Sequence, residues 1–126
     1  MQKGFSSLKS KLGNHGEELV SEWLHNQGFH VKERNYRKRF GEVDLIATKG
    51  NVIAFIEVKT RKANYFNLSE VITQSKQKKI ILTAKYYIAV NNCEDRVIRF
   101  DVALVEKKEN NFEIKYIPNA FTEDFY

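Results

Sequence analysis

Residues 42–59 read EVDLIATKGNVIAFIEVK, two runs rich in Val, Ile and Ala that are separated by Gly50-Asn51. Gly followed by Asn is a favoured two-residue hairpin loop, with Gly in the first position of a type II′ turn. Such a loop pairs Lys49 with Val52, and this first pair sets the register of both strands. The segment therefore predicts an antiparallel β-hairpin.

The two faces of this hairpin differ in character. One face is wholly apolar, which predicts that it is buried, and its pairs are Val43–Val58, Leu45–Ile56 and Ala47–Ala54. On the other face Asp44 lies opposite Glu57, where like charges destabilise a sheet. Three things can offset the repulsion: a nearby cation such as Lys59, a proton held by a raised pKa, or a bound divalent metal ion.

Lys59 lies on the face that carries Asp44 and Glu57, because strand side chains alternate with a period of two. Mg²⁺ and Mn²⁺ prefer oxygen ligands, and Mg²⁺ is often held by one or two carboxylates together with waters. A neighbouring ammonium can orient water and balance charge that develops at phosphorus. The three residues together favour metal-dependent hydrolysis of phosphodiester bonds.

The rest of the chain predicts one domain, residues 1–126, with no linker or repeat. Hydrophobic periodicity and turn residues give the element order α-β-β-β-α-β-β, with helices at 9–27 and 68–90 and strands at 29–34, 42–48, 52–59, 97–105 and 112–117. Glu17 lies at the rim of the first helix's apolar arc, which makes it a candidate third acid at the sheet. The alternative is a helix N-terminal acid that the helix dipole favours.

The composition sets weak limits on partners. The chain has 21 Lys+Arg against 16 Asp+Glu, a formal net charge of +5, which tilts the partner toward a polyanion. A single cysteine excludes an internal disulfide and a cysteine-rich zinc cluster. The sequence shows neither a signal peptide nor a long apolar run, so we expect a cytoplasmic protein without a membrane partner.

Cations cluster around the hairpin. The residues expected to contact a nucleic-acid backbone are Arg34, Arg37, Lys38, Arg39, Arg61, Lys62 and Lys76. A solvated charged face is the alternative for most of them. For Lys76, on the apolar stripe of the second helix, the alternative is a lysine that extends along that stripe to water.

Several of these residues recur in one ordered pattern, which comprises Gly16-Glu17, Arg34-Asn35-Tyr36-Arg37, Gly41-Glu42-Val43-Asp44-Leu45-Ile46, Glu57-Val58-Lys59-Thr60-Arg61, Lys76 and Arg99-Phe100-Asp101-Val102. The pattern resembles the bacterial YraN family, over about residues 10–105. This family is grouped with the restriction-endonuclease-like, or PD-(D/E)xK, nucleases and is similar to archaeal Holliday-junction resolvases. Val43 stands where the superfamily name has proline.

The resemblance implies a restriction-endonuclease-like α/β fold, with a central mixed sheet flanked by helices, an α-β-β-β-α-β core and a C-terminal strand. It makes Asp44 and Glu57 metal ligands, the Val58 carbonyl a further ligand and Lys59 the catalytic lysine, with Glu17 matching the helix-one acid of the resolvases. Because the resolvases act as dimers on branched DNA, the resemblance also implies a possible homodimer and branched DNA as a substrate. The resemblance to the YraN family itself implies no particular activity.

Three functions follow from these observations. The leading hypothesis is a metal-dependent endonuclease acting on DNA. The second is a nucleic-acid-binding module that does not cut. The third is a protein-interaction adaptor whose metal site is vestigial.

Overall fold

A computed structural model describes the backbone at residues 5–62 and 71–123, and side chains in these ranges from residue 15 onward. The elements are α1 (Phe5–Asn26), β1 (His30–Lys38), β2 (Gly41–Lys49), β3 (Val52–Lys62), α2 (Gln74–Val90), β4 (Val97–Lys107) and β5 (Phe112–Phe121). The expected α/β class and element order are confirmed. The predicted start of the second helix, at 68–70, lies outside the described residues.

All five strands form one mixed sheet in the order β1-β2-β3-β4-β5. Only β3 and β4 run parallel. Parallel neighbours need a long crossover connection, and α2 lies within it. The α2 helix begins at the cap residue Thr73, whose side chain accepts a hydrogen bond from the Lys76 N–H at 3.2 Å. The cap fixes where the first turn of α2 starts, and Lys76 lies in that turn.

Each helix covers a hydrophobic cluster on one side of the sheet. One cluster joins Val20 and Leu24 of α1 to Leu45 of β2 and Ile56 of β3. The second cluster joins α2 to the other side of the sheet through Ile46, Phe55, Ile80, Ala84 and Tyr87. The sheet is therefore buried on both sides, and a polar site can open only where the strands extend beyond the helices.

The hairpin register is as predicted from the loop to Leu45–Ile56. Gly50 has a φ of +57°, as the first position of a type II′ turn requires. The backbone pairing of β2 with β3 stops at that point, so neither Asp44–Glu57 nor Val43–Val58 forms as a ladder pair.

Val43 departs from the expected face. It packs in the cluster under α2, whereas Leu45 packs under α1, so the alternation of β2 breaks at Asp44. On the other side of β2 the pairing passes from Arg34–Leu45 to Tyr36–Val43. Asn35, between these pairs, has a φ of +53°. The β1–β2 register is the same on both sides of this point, since its shift lies between Val31 and Glu33. The left-handed backbone of Asn35, not an inserted residue, therefore accompanies the break in alternation at Asp44.

The last strand runs further than expected. It extends to Phe121 and contains Pro118, which is tolerated because β5 is an edge strand and need not donate every backbone N–H. An edge strand also offers unpaired backbone groups to a second copy of the chain. The homodimer itself stays a prediction. No helix in the described ranges has the length and apolar character needed to cross a membrane.

Candidate metal and nucleic-acid site

The end of the β2–β3 ladder brings the predicted acids together. Asp44 and Glu57 are close enough for a hydrogen bond between their side chains, and Glu17 of α1 acts electrostatically on both. Lys59 lies within the field of Glu57. The break in the ladder thus creates a charged group of side chains at one end of an otherwise apolar hairpin.

Asp44 replaces a backbone acceptor of the ladder. Its Oδ2 accepts a hydrogen bond from the Val58 N–H at 2.8 Å. In an antiparallel ladder every second pair exchanges both backbone hydrogen bonds, and continuing the series from Lys49–Val52 would reach Val43–Val58. The carboxylate therefore takes the bond that a regular ladder would give to the Val43 carbonyl, and this bond fixes its orientation.

The Val58 carbonyl lies on the side of β3 that faces Asp44. The N–H and C=O groups of one strand residue point to the same neighbouring strand, and the Val58 N–H points to Asp44. The carbonyl predicted as an additional ligand therefore lies on the same side as the first acid.

Burial raises the pKa of Asp44 to about 8, and the charge of Glu57 adds to that effect. The Val58 N–H opposes the shift, because it favours the ionised carboxylate. Without a bound metal ion, the Asp44 carboxyl thus carries a proton near neutral pH. Of the three ways to offset the repulsion, two are present: the raised pKa of Asp44 and a nearby cation, which for Glu57 is Lys76.

Glu57 has a cation from α2. It is only 6 % exposed, and Lys76 Nζ lies 2.5 Å from its Oε2. Burial lowers the pKa of Lys76, but the hydrogen bond and charge of Glu57 outweigh that effect, so the pKa is raised overall. The sequence carried a signal for this pair: Lys76 lies on the apolar stripe of its helix, and that stripe packs on the face of the sheet that carries Glu57.

Lys59 lies half-buried beside this ion pair. Burial lowers its pKa, and the neighbouring Lys76 lowers it further. Two ammonium groups from different elements thus lie at the carboxylates, where the sequence predicted one.

Glu17 reaches the same region from α1. The helix lies close to β3 at Gly16, where a Cβ atom would collide with the Thr60 side chain. One carboxylate oxygen of Glu17, Oε1, is buried and has no hydrogen-bond partner among the residues that the structure describes. Burial raises the pKa of this group, although a hydrogen bond with Asn35 opposes the shift. An unpartnered buried oxygen is costly, so it marks a place that suits a cation or a donor.

The oxygen donors suit a hard divalent ion. Within the described ranges, no group of three or more His, Cys, Asp and Glu side chains is placed to hold a metal ion. Two carboxylates, Asp44 and Glu57, are the number that Mg²⁺ commonly uses together with waters. Glu17 remains a predicted ligand, and its unpartnered oxygen is the feature in its favour.

Four of the seven predicted backbone-binding cations line one open groove of about 720 Å³, and they are Arg37, Lys38, Arg39 and Lys76. Lys79 lines it as well, and among the lining residues that the structure describes Glu42 is the one acid. Glu42 is already paired with Arg37 at 3.2 Å. The other three predicted cations are exposed but lie outside this lining, and they are Arg34, Arg61 and Lys62.

A further polar group, which includes Arg99 and Asp101 of the ordered sequence pattern, lies on the α1 side of the sheet. Asp101 is fully buried and accepts hydrogen bonds from Arg99 at 2.9 Å, the Tyr116 hydroxyl at 2.5 Å and the Asn119 N–H at 2.8 Å. These bonds hold β5 to β4 where their register shifts. The role of Asp101 is structural.

The fold and this site define a mixed α/β protein whose described residues form a five-stranded central sheet and the helices α1 and α2, an architecture compatible with an α/β nuclease-like fold. The chain belongs to the uncharacterised protein family UPF0102, whose model matches residues 16–105. It is similar to a UPF0102 protein of Desulforapulum autotrophicum, with 39% identity over 117 residues that cover 92% of this chain and 97% of the relative. A UPF0102 protein of Caldicellulosiruptor saccharolyticus is 41% identical over 116 residues, which cover 90% of this chain and 98% of the relative.

Proposed function

We propose that this UPF0102 protein is an endonuclease that uses Mg²⁺ or Mn²⁺ to hydrolyse phosphodiester bonds of DNA. The observation that carries the proposal is the proximity of the partly buried Asp44 to the buried Glu57, beside two lysines, at the end of the β2–β3 ladder. The predicted resemblance to the YraN family and the restriction-endonuclease-like nucleases agrees with it. Burying two acids together is costly, so a function for the pair is the simplest reason for its presence.

In this proposal Asp44 and Glu57 hold the metal ion, with the Val58 carbonyl as a further ligand. A divalent ion bound there would lower the pKa of water and stabilise charge on the phosphoryl group. The Val58 N–H keeps the Asp44 carboxylate in place, so the ligand is oriented before binding. The unpartnered oxygen of Glu17 would accept a hydrogen bond from a water of the site, or bind the ion directly.

Lys59 would orient the attacking water and balance the charge that develops at phosphorus. Only the protonated amine can balance that charge, and the lowered pKa of Lys59 makes release of its proton easier. Lys76 would leave Glu57 as the ion binds, since both use the Glu57 carboxylate. It would then be free to contact a phosphate.

The basic groove would position the DNA backbone without reading sequence. Backbone binding through cations releases counterions, so the affinity must fall steeply with salt. The proposal includes branched DNA among the substrates, because the resemblance to the resolvases implies it.

One observation favours a second function, the non-catalytic nucleic-acid module. Lys76 already neutralises Glu57 without a metal ion, as expected of a site that has lost metal binding and catalysis. This alternative predicts salt-dependent DNA binding that survives both Asp44→Asn and removal of divalent ions. The adaptor with a vestigial site predicts no DNA binding even at low salt.

The test incubates wild type and Glu57→Gln with linear and branched DNA, in Mg²⁺, in Mn²⁺ and in a chelator. The proposal expects cleavage by wild type alone, and only with a divalent ion. A matched control is Glu94→Gln, which makes the same change at an exposed loop position. Cleavage by Glu57→Gln at the wild-type rate would contradict the proposal.

A further inference from the structure

Two aromatic rings in contact lie exposed, and one of them, that of Phe40, lines the basic groove. Phe40, in the turn between β1 and β2, is 37 % exposed, and Tyr86 of α2 is 42 % exposed. Their ring centroids are 5.7 Å apart at an angle of 68°. An edge-to-face contact of this kind covers at most one face of the Phe40 ring. Flat aromatic surface therefore remains open in a place that also lines the groove.

Cations surround this aromatic pair. Lys38 Nζ lies 5.2 Å from the Tyr86 ring centroid and 5.0 Å from that of Tyr36. Arg39 directly precedes Phe40, and Lys79 lines the same groove. Open aromatic surface beside a line of cations is the arrangement by which proteins hold single-stranded nucleic acid, with phosphates on the cations and bases on the rings.

We propose that Phe40, supported by Tyr86, stacks an unpaired base of the DNA strand whose phosphates lie in the groove. The inference rests on the proposed function for the nature of the polymer, and it adds the substrate class: DNA with unpaired nucleotides beside the cleavage position. A base inside a duplex is already stacked on both faces and offers none to Phe40. Phosphate contacts alone would not distinguish the two kinds of DNA.

The competing explanation is that Phe40 simply anchors the β1–β2 turn to α2. Phe40→Leu separates the two, because leucine keeps an apolar contact with Tyr86 but has no aromatic face. Thermal unfolding of the variant shows whether the turn is still held.

The experiment measures DNA affinity by fluorescence anisotropy in a chelator, where no divalent-dependent cleavage occurs. One probe is a duplex, and the other is the same duplex with a central mismatched bubble, so length and charge are equal. We expect wild type to prefer the bubble. Phe40→Leu should lose about five- to a hundredfold in affinity for the bubble, the range for one stacked base, and bind the intact duplex as wild type does. Lys79→Met should weaken both complexes, because it removes only a phosphate contact.

An unchanged preference for the bubble in Phe40→Leu would overturn the inference, and so would equal losses on both probes. Cleavage is scored separately, with Mg²⁺. A wild type that prefers the bubble and never cuts would support the stacking role while contradicting the nuclease. A wild type that cuts both probes equally well and shows no binding preference would support the nuclease and contradict the stacking role.

Discussion

Asp44 Oδ2 accepts a hydrogen bond from the Val58 backbone N–H at 2.8 Å, so the acid that we place in the metal site also satisfies a backbone donor of β3. The two tasks are separable by substitution. Asparagine keeps an oxygen acceptor, whereas alanine leaves the Val58 N–H without a partner.

The first prediction concerns this acceptor. Asp44→Ala should lower the free energy of unfolding by about 1–3 kcal/mol relative to Asp44→Asn, since an unsatisfied buried donor costs that much. Urea denaturation of both variants measures the difference. Equal stability would mean that water replaces the carboxylate without cost.

The second prediction concerns pH in metal-free protein. Folding raises the pKa of Asp44 from 3.8 to about 8, so the folded state binds the extra proton. The stabilisation from Asp44 is therefore complete below about pH 4 and is lost as the pH rises through about 8. Each unit of difference is worth about 1.4 kcal/mol.

Between about pH 5 and pH 9, wild type should lose at least about 1 kcal/mol more stability than Asp44→Asn, which has no proton to lose at this position. Adding Mn²⁺ at the higher pH should restore wild type but not the variant. Parallel pH profiles for the two proteins would contradict the raised pKa.

The third prediction concerns the ion pair between Lys76 and Glu57. Lys76→Met should destabilise metal-free protein by about 1 kcal/mol, a figure reduced for solvent screening because the lysine side chain is 36% exposed. It should also increase the stabilisation that saturating Mn²⁺ provides, because the competing ammonium is gone. Melting temperatures with and without Mn²⁺ measure both effects.

Lys78→Met is the matched control, since Lys78 is an exposed residue of the same helix. It should leave both quantities unchanged. A Lys76→Met variant that responds to Mn²⁺ as wild type does would show that the lysine and the ion do not compete.

The fourth prediction concerns Asp101. Asp101→Asn removes the charge that compensates Arg99, and breaking a buried pair on one side costs about 3–5 kcal/mol. We expect a loss of that order in the free energy of unfolding, measured by urea denaturation. Glu113→Gln, which changes an exposed ion pair with Lys108, should shift the stability by less than about 1 kcal/mol. A similar small effect of Asp101→Asn would show that Arg99 finds water instead.

Local sequence rules predicted the hairpin register correctly next to the loop, but they did not predict that the ladder ends at Leu45–Ile56. Gly50-Asn51 sets the register through a two-residue loop, which is a local constraint, and the structure follows it to Leu45–Ile56. The break at Asp44 depends on tertiary packing: Gly41 lies so close to α2 that a Cβ atom would be 2.6 Å from the Lys79 carbonyl oxygen. The alternation of residues in β2 cannot indicate this contact, because Lys79 lies nearly forty residues further along the chain.

The sequence predicted that the acids of the candidate site lie close together, and it predicted the neighbouring cations less fully. Asp44, Glu57 and Lys59 lie close to one another along the hairpin strands, so the predicted register placed them together even though the ladder ends before the Asp44–Glu57 pair. The Lys76–Glu57 pair joins two elements across a connection, and only the helical stripe pointed to it. Asp101 belongs to the ordered sequence pattern, but its partners Tyr116 and Asn119 were not predicted, because they come from a strand whose register shift the sequence does not show.

The central claim is that Asp44 and Glu57 bind a divalent ion. Calorimetric titration of Mn²⁺ into wild type, Glu57→Gln and the control Glu94→Gln tests it most directly. We predict saturable binding to wild type and Glu94→Gln, with binding lost or strongly weakened in Glu57→Gln. Equal binding by all three proteins, or none by wild type, would show that the carboxyl pair is not a metal site.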